Sequence, residues 1–253
     1  MDALSRALQD LEPITLGEMD SIRLMNRIDS KYVTTLDRLL EFLLAARGHY
    51  RVLDTDGRLN AYDTIYYDTP GREMYVAHHN RHLTRKKVRV RTYVGSGTTF
   101  LEVKLKNNHG RTKKKRIECD RSDPFGTPGA PEFLEKLTGY SPADLHRATR
   151  TAFERITLVN AARTERLTID TSLHFENFET GISKDLGCAV IIELKQDGRA
   201  ASLTKDLLLG LRIHPLKVSK YCIGTAITDP AIKRGNFKEK IHALEKMTNK
   251  TLL

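Results

Sequence analysis

The chain has 253 residues, with 42 lysines and arginines against 32 acids, a formal net charge of +10 and a pI near 9.5. That length buries one sizeable core, and that charge calls for an anionic partner: nucleic acid, a phosphorylated small molecule or a membrane surface. No stretch of about 18 consecutive apolar residues occurs. The opening MDALSRALQDLEPITL mixes acids with short apolar pieces, which argues against a secretory leader and for a soluble, cytoplasmic protein. Cys119, Cys188 and Cys222 are too far apart and too few for a disulfide framework or a paired-cysteine zinc site, so free thiols are expected.

In chain order, an N-terminal helix is expected within 1–12. TLDRLLEFLLAAR, Thr35 to Arg47, spaces its leucines and Phe42 for an amphipathic helix capped by the threonine. From Tyr62 the texture becomes strand-like: YDTIYYDT, KVRVRTYV, TTFLEVKLK and TKKKRIECD, broken by turns at GSG and NNHG. A Pro- and Gly-rich connector leads to a short helix at Pro131 to Leu137. Strands resume in RATRTAFERITLV, ERLTIDTSLHF and CAVIIELKQ. A leucine-rich helix follows at Leu203 to Leu211, then a KVSKY segment and a lysine-rich C-terminal helix at about 236–249. The whole is read as a single domain over 1–253 with its core at about 22–228, without internal repeats.

Side chains two apart on a strand share a face. Arg89 and Arg91 therefore lie opposite Val88 and Val90, and Glu102, Lys104 and Lys106 opposite Leu101, Val103 and Leu105. Lys114, Arg116 and Glu118 follow the same rule, as do Arg166, Thr168 and Asp170, and Glu193 with Lys195. For one strand this is the pattern of an ordinary sheet with a wet face. Repeated over five strands, with arginine and lysine dominant, it describes a basic lumen in a closed, mostly antiparallel β-barrel. Crowded like charges are costly there, and a bound polyanion with a divalent cation relieves the cost.

The motifs NRIDSKYV, YDTIYYDTP, RKKVRVRTYV, FLEVKLK, GRTKKKRIE, RLTID, IIELK and VSKY, between Asn26 and Gly224, resemble in order those of the VTC domain. This is the polyphosphate polymerase branch of the triphosphate tunnel metalloenzymes. The resemblance implies an α+β fold: a closed antiparallel eight-stranded tunnel with helices packed outside, binding nucleoside triphosphate (ATP) with Mn²⁺ or Mg²⁺. It further implies transfer of the terminal phosphate to a polyphosphate chain that leaves through the tunnel. By motif, Lys31, Arg89, Arg91, Lys104, Lys114, Arg116, Arg155, Arg166 and Lys220 match the family's phosphate-binding cations, and Glu193 matches its metal-binding glutamate. Lys195, beside Glu193 on the charged face, joins the phosphate-binding set. Arg89, Arg91, Arg155, Arg166 and Lys220 are the residues expected to act in catalysis.

Two positions depart from the family pattern. Phe153 stands where a hydroxylated aromatic is common. The first strand reads Arg27, Asp29, Lys31 where wider relatives carry two glutamates and a lysine, leaving Asp29 as the only acid there for a second metal. Three other features carry ordinary readings. His78 and His82 could share a helical face as metal ligands, but no third ligand accompanies them. The KRGNFKEK and KKKR runs lack a nucleic-acid recognition motif and read as solvated faces. Tyr62, Tyr66 and Tyr67 read as strand packing. The chain has no spanning segment of its own, so a membrane role would fall to a partner. Polymerase, triphosphatase and a non-catalytic sensor of polyphosphate or inositol phosphates all stay open.

Overall fold

The computed structural model describes residues 2–20, 27–198 and 201–253; the side chains of Asp20 and Arg27 lie outside that description. In chain order the elements are α1 (Ala3–Gln9), β1 (Glu12–Ile14), α2 (Leu16–Asp20), β2 (Arg27–Thr35), α3 (Leu36–Ala46), β3 (Tyr50–Leu53), β4 (Asn60–Asp68) and α4 (Glu73–His79). Then come β5 (Arg85–Tyr93), β6 (Thr99–Lys106), β7 (Thr112–Glu118), α5 (Ala130–Thr138), β8 (His146–Asn160), β9 (Glu165–Asn177) and β10 (Ser183–Asp185). The chain ends with β11 (Ala189–Asp197), α6 (Leu203–Gly210), α7 (Lys220–Thr228) and α8 (Lys238–Thr248).

Eight strands pair in the order β2, β11, β9, β8, β4, β5, β6, β7, every pairing antiparallel. The expected closed barrel is corrected here: among the described residues no pairing joins β7 to β2. The free edge of β2 is already occupied, since Leu216 donates its N–H to the Lys31 carbonyl at 2.8 Å and Tyr32 bridges to Pro215. The sheet still curls, because Lys104 of β6 faces Glu193 of β11 and Lys31 of β2 closely enough to feel their charges.

The outer face of the curl is apolar and covered by helices. In α3, Leu39, Phe42, Leu43 and Ala46 recur at helical spacing and are buried, and the Thr35 hydroxyl accepts the Arg38 N–H. They pack with Leu4 and Leu8 of α1 over Leu158, Leu167, Ile169, Ile192 and Leu194. On the other flank, Ala130 and Leu134 of α5 cover Val88, Val90, Leu101 and Val103. Each such Leu, Ile or Val stabilises by about 1.5–3 kcal/mol on full burial, so the outer face fixes which side chains turn inward.

The inner face changes character along its length. β9 carries Arg166, Thr168 and Asp170 inward, then bulges: Ser172 takes a φ of 52° and the register to β8 shifts between Ala152 and Glu154. The extra residue turns Leu173 and Phe175 inward instead of Ser172 and His174. Beyond this level Val33, Phe153, Leu173, Phe175 and Ile191 form one core with Tyr221, Cys222, Ile223, Ala226 and Ile227 of α7. Helix α7 thus lies inside the curl and fills one end of it. Gly224 permits the approach, since a Cβ there would sit 2.4 Å from the Phe175 ring, and the Thr149 and Thr225 hydroxyls bond at 2.8 Å.

Candidate functional site

The charged half of the lumen is built from three buried or part-buried carboxylates, each held between two cations. Glu102 of β6, 1 % exposed, accepts from Arg89 Nε of β5 at 2.7 Å and from Lys114 Nζ of β7 at 2.9 Å. Asp170 of β9 accepts from Arg155 Nε and Nη2 of β8 at 2.6 and 2.9 Å, and from Lys220 Nζ at the start of α7. Glu193 of β11 lies between Lys31 Nζ of β2 and Lys195 Nζ at 3.0 Å.

These pairs set the charge states. Burial alone would raise the Glu102 carboxyl, but Arg89, Arg91 and Lys114 outweigh it and hold the pKa at about 2. Asp170 is likewise pulled below the ordinary carboxylate range, burial being overcome by Arg155 and Lys220. Glu193 lies well below it through Lys195 and Lys31. Burial pushes Lys220 down to about 8, against the pull of Asp170 and with Arg155 adding repulsion.

Arg91 is the exception among these cations. It is 6 % exposed, its Nε donates to Thr64 Oγ1 at 3.1 Å, and among the described residues it makes no ion pair with a carboxylate. Its guanidinium lies over the rings of Tyr62 and Phe153, 5.5 and 5.7 Å from their centroids. Burial, then Arg89 and Arg155, lower its pKa to about 10. Arg155 shares the same two rings at 5.1 and 5.2 Å, and Lys220 lies 4.3 Å over Phe153. Tyr62 and Phe153 are stacked at 5.4 Å. Phe153 therefore supplies no hydroxyl but forms an apolar floor under three cations.

The expected site residues fall into clear places. Lys31, Arg89, Arg91, Arg155, Lys195, Lys220 and Glu193 converge in the lumen. Lys104 faces them from β6, and Lys114 reaches in from the partly exposed β7. Arg166 pairs in register with Lys195, toward the end away from α7. Arg116 sits at the exposed rim, bonded to the Tyr93 hydroxyl at 3.3 Å and 4.3 Å over Phe100. Asp29 is exposed, in register with Lys195.

Sequence reasoning placed Glu102 and Asp170 on the right face by parity but gave them no part. Their partners lie 12 to 50 residues away, beyond any local signal. Tyr66 does more than pack in its strand. Its hydroxyl accepts from Arg89 Nη1 at 3.3 Å, and Arg89, Arg91 and Lys87 outweigh burial to bring its pKa down to about 8. Its ring stacks on Tyr221 at 5.0 Å. Asp68 anchors α7 from below: its carboxylate accepts the N–H groups of Thr69, Met74 and Tyr75 at 2.8, 3.0 and 2.9 Å and the Tyr221 hydroxyl. The histidine pair is not presented to a metal, because α4 ends at His79. His78 Nδ1 contacts Cys222 Sγ at 3.0 Å, and His79 Nε2 accepts the Asn236 N–H at 3.2 Å.

No group of three or more His, Cys, Asp or Glu side chains converges among the described residues. Glu193 alone still fits a cation that arrives with its phosphates, since Mg²⁺ is commonly held by one or two carboxylates, water and phosphate oxygens. Among the described residues no helix is long and apolar enough to cross a membrane.

An antiparallel curl with a basic inner face and helices outside is the architecture of the triphosphate tunnel proteins. HpAC1 from Hippeastrum, described as a candidate adenylyl cyclase with a dominant triphosphatase activity, matches over 78% of this chain and 94% of its own, at 14% identity and a TM-score of 0.52. A candidate adenylate cyclase from Bacillus halodurans covers 77% of this chain and 96% of its own at 14% identity, TM-score 0.49. One from Vibrio parahaemolyticus covers 78% and 96% at 14% identity, TM-score 0.45. No curated protein sequence matched. The VTC domain model matches residues 26–228, and the chain belongs to the VTC domain family.

Proposed function

We propose that the protein is a metal-dependent phosphoryl transferase that grips a nucleoside triphosphate, ATP, in its lumen and extends polyphosphate with the terminal phosphate. Arg91 carries this reading. A buried guanidinium without a carboxylate, beside two clamped ones, is costly unless an anion completes it. Arg89, Arg91, Arg155 and Arg166 would grip phosphate oxygens bidentately. Lys31, Lys104, Lys114, Lys195 and Lys220 would line the path, with Arg116 at the rim. Glu193 would hold Mg²⁺ or Mn²⁺, which supplies charge neutralisation on the phosphate oxygens. The protein's own part is to align and stabilise the transferred group, as phosphoryl transfer requires.

Hydrolysis is the second reading, and α7 favours it. A helix packed into one end of the lumen would narrow the exit for a product chain, and the Hippeastrum protein is described as having a dominant triphosphatase activity. The test is incubation with ATP and Mn²⁺ or Mg²⁺, measuring free phosphate and polymer, with Arg91→Ala, Glu193→Ala and Lys220→Ala alongside. Polymer lost in all three variants supports the polymerase, and free phosphate alone supports hydrolysis. Tripolyphosphate binding without either product leaves a sensor, and no binding overturns the lumen as a phosphate site.

A further inference from the structure

Tyr62 and Phe153 are occupied by the cations of the lumen: the two rings stack on each other, and Arg91, Arg155 and Lys220 lie against them. A second aromatic group continues from them toward the rim. Tyr93 of β5 meets Tyr62 at 4.9 Å between ring centroids and Phe100 of β6 edge-on at 5.8 Å. Phe100 is the cross-strand partner of Arg91 on β5 and of Glu118 on β7. Paired residues share a face, so its ring belongs to the inner wall beside Arg91.

Over that ring, 4.3 Å from its centroid, lies the guanidinium of Arg116, whose Nη1 donates to the Tyr93 hydroxyl at 3.3 Å. Arg89 and Arg155 bury their guanidinium groups against carboxylates. Arg116 instead rests on an aromatic ring, and it is exposed while Phe100 and Tyr93 are half-buried. A ring with an arginine plane over it, open to solvent beside a phosphate grip, is suited to the part of a nucleotide that is not phosphate. Bases stack on aromatic side chains and on guanidinium planes; an inorganic phosphate chain has nothing to put there. We propose that Phe100 and Arg116, steadied by Tyr93, form the platform on which the base of a nucleotide stacks while its phosphates take Arg91. This rests on the lumen being a nucleoside triphosphate site. Such a platform meets the flat face that every base has, so it strengthens the grip on nucleotides as a class without choosing among bases.

The test is titration calorimetry on the full chain, without divalent metal, with ATP and with sodium tripolyphosphate. Arg116→Lys keeps the charge and removes the plane; Phe100→Leu keeps apolar bulk and removes the ring. Each should weaken ATP about tenfold, the scale of one base stacked on an aromatic side chain, and leave tripolyphosphate affinity unchanged. A 2-aminopurine riboside triphosphate should lose fluorescence on binding to wild type and keep it in both variants, a signature that a merely structural role would not move. ATP and tripolyphosphate weakened together would place both side chains in the phosphate grip and overturn the platform. ATP affinity unchanged in both variants overturns it too and leaves the nucleoside triphosphate reading standing. Should Phe100→Leu fail to fold, Arg116→Lys decides alone, because Arg116 is exposed. Wild-type protein that binds tripolyphosphate but not ATP overturns the nucleotide reading with the platform, and wild type that binds neither overturns the lumen as a phosphate site.

Discussion

The same four strands line two unlike halves of one lumen. β2 passes from Asp29 and Lys31 to Val33, β11 from Lys195 and Glu193 to Ile191, β9 from Asp170 to Leu173 and Phe175, and β8 from Arg155 to Phe153. In the apolar half the strands close on α7 and the residues are there to be buried. In the charged half they close on one another's counter-ions, and Arg91 is left over. Stability and binding should therefore separate: damage to the first half should cost folding, and damage to the second should cost ligand.

The largest expected effect breaks the apolar half. Phe175→Ala empties the surface against which Gly224 packs and should lower the unfolding free energy by about 3–5 kcal/mol in a urea titration. A loss under about 1 kcal/mol would mean that α7 is not held there. Next comes Arg91→Ala, which should weaken tripolyphosphate by about 1.5–3 kcal/mol, tenfold to over a hundredfold. Unfolding of the ligand-free variant should be no easier than wild type, because a buried charge without a carboxylate has been removed. A variant that both unfolds readily and keeps its affinity would erase the distinction between the halves.

A third expectation concerns pH. In the proposed site Lys220 would bind phosphate as its protonated form, and burial brings its pKa down to about 8, so tripolyphosphate affinity should fall as pH rises from 7 to 9. Lys220→Arg, which stays charged, should flatten that limb. On the acid side the sign is opposite. Glu102 has a depressed pKa of about 2, so its contribution to stability is full above the unfolded value of about 4.3 and is lost as pH falls from there through 2. Acid unfolding should thus begin in that window. The smallest effect belongs outside both halves: Lys115→Gln, on the exposed outer side of β7, should shift stability within about 0.5 kcal/mol.

The parts of this design legible beforehand were those written in period two. Strand parity in KVRVRTY and FLEVKLK turned arginines and lysines to one side because the other side had to take valines and leucines. Helix α7 was not legible: KYCIGTAIT is buried almost all round, so it has no polar face to reveal a helical period, and its glycine and β-branched residues argue against helix. The clamps on Glu102 and Asp170 depend on strand order and the β9 bulge, which no local spacing records. Closure of the barrel was expected from strand parity as well as from family resemblance, but parity says which face a side chain takes and not whether the last strand meets the first, and the 215–216 segment lies on the edge of β2.

The open seam also bears on how the molecule behaves in company. Among the described residues β7 ends the sheet with one edge unpaired, the kind of edge that recruits a strand from another molecule and starts aggregation. Its sequence TKKKRIE puts lysines on both faces, so a second copy laid antiparallel against it would set lysine beside lysine. The charge that suits the inner face to phosphate thus also keeps the outermost strand from templating a sheet of its own kind, and a polyanion that neutralised it would remove that protection.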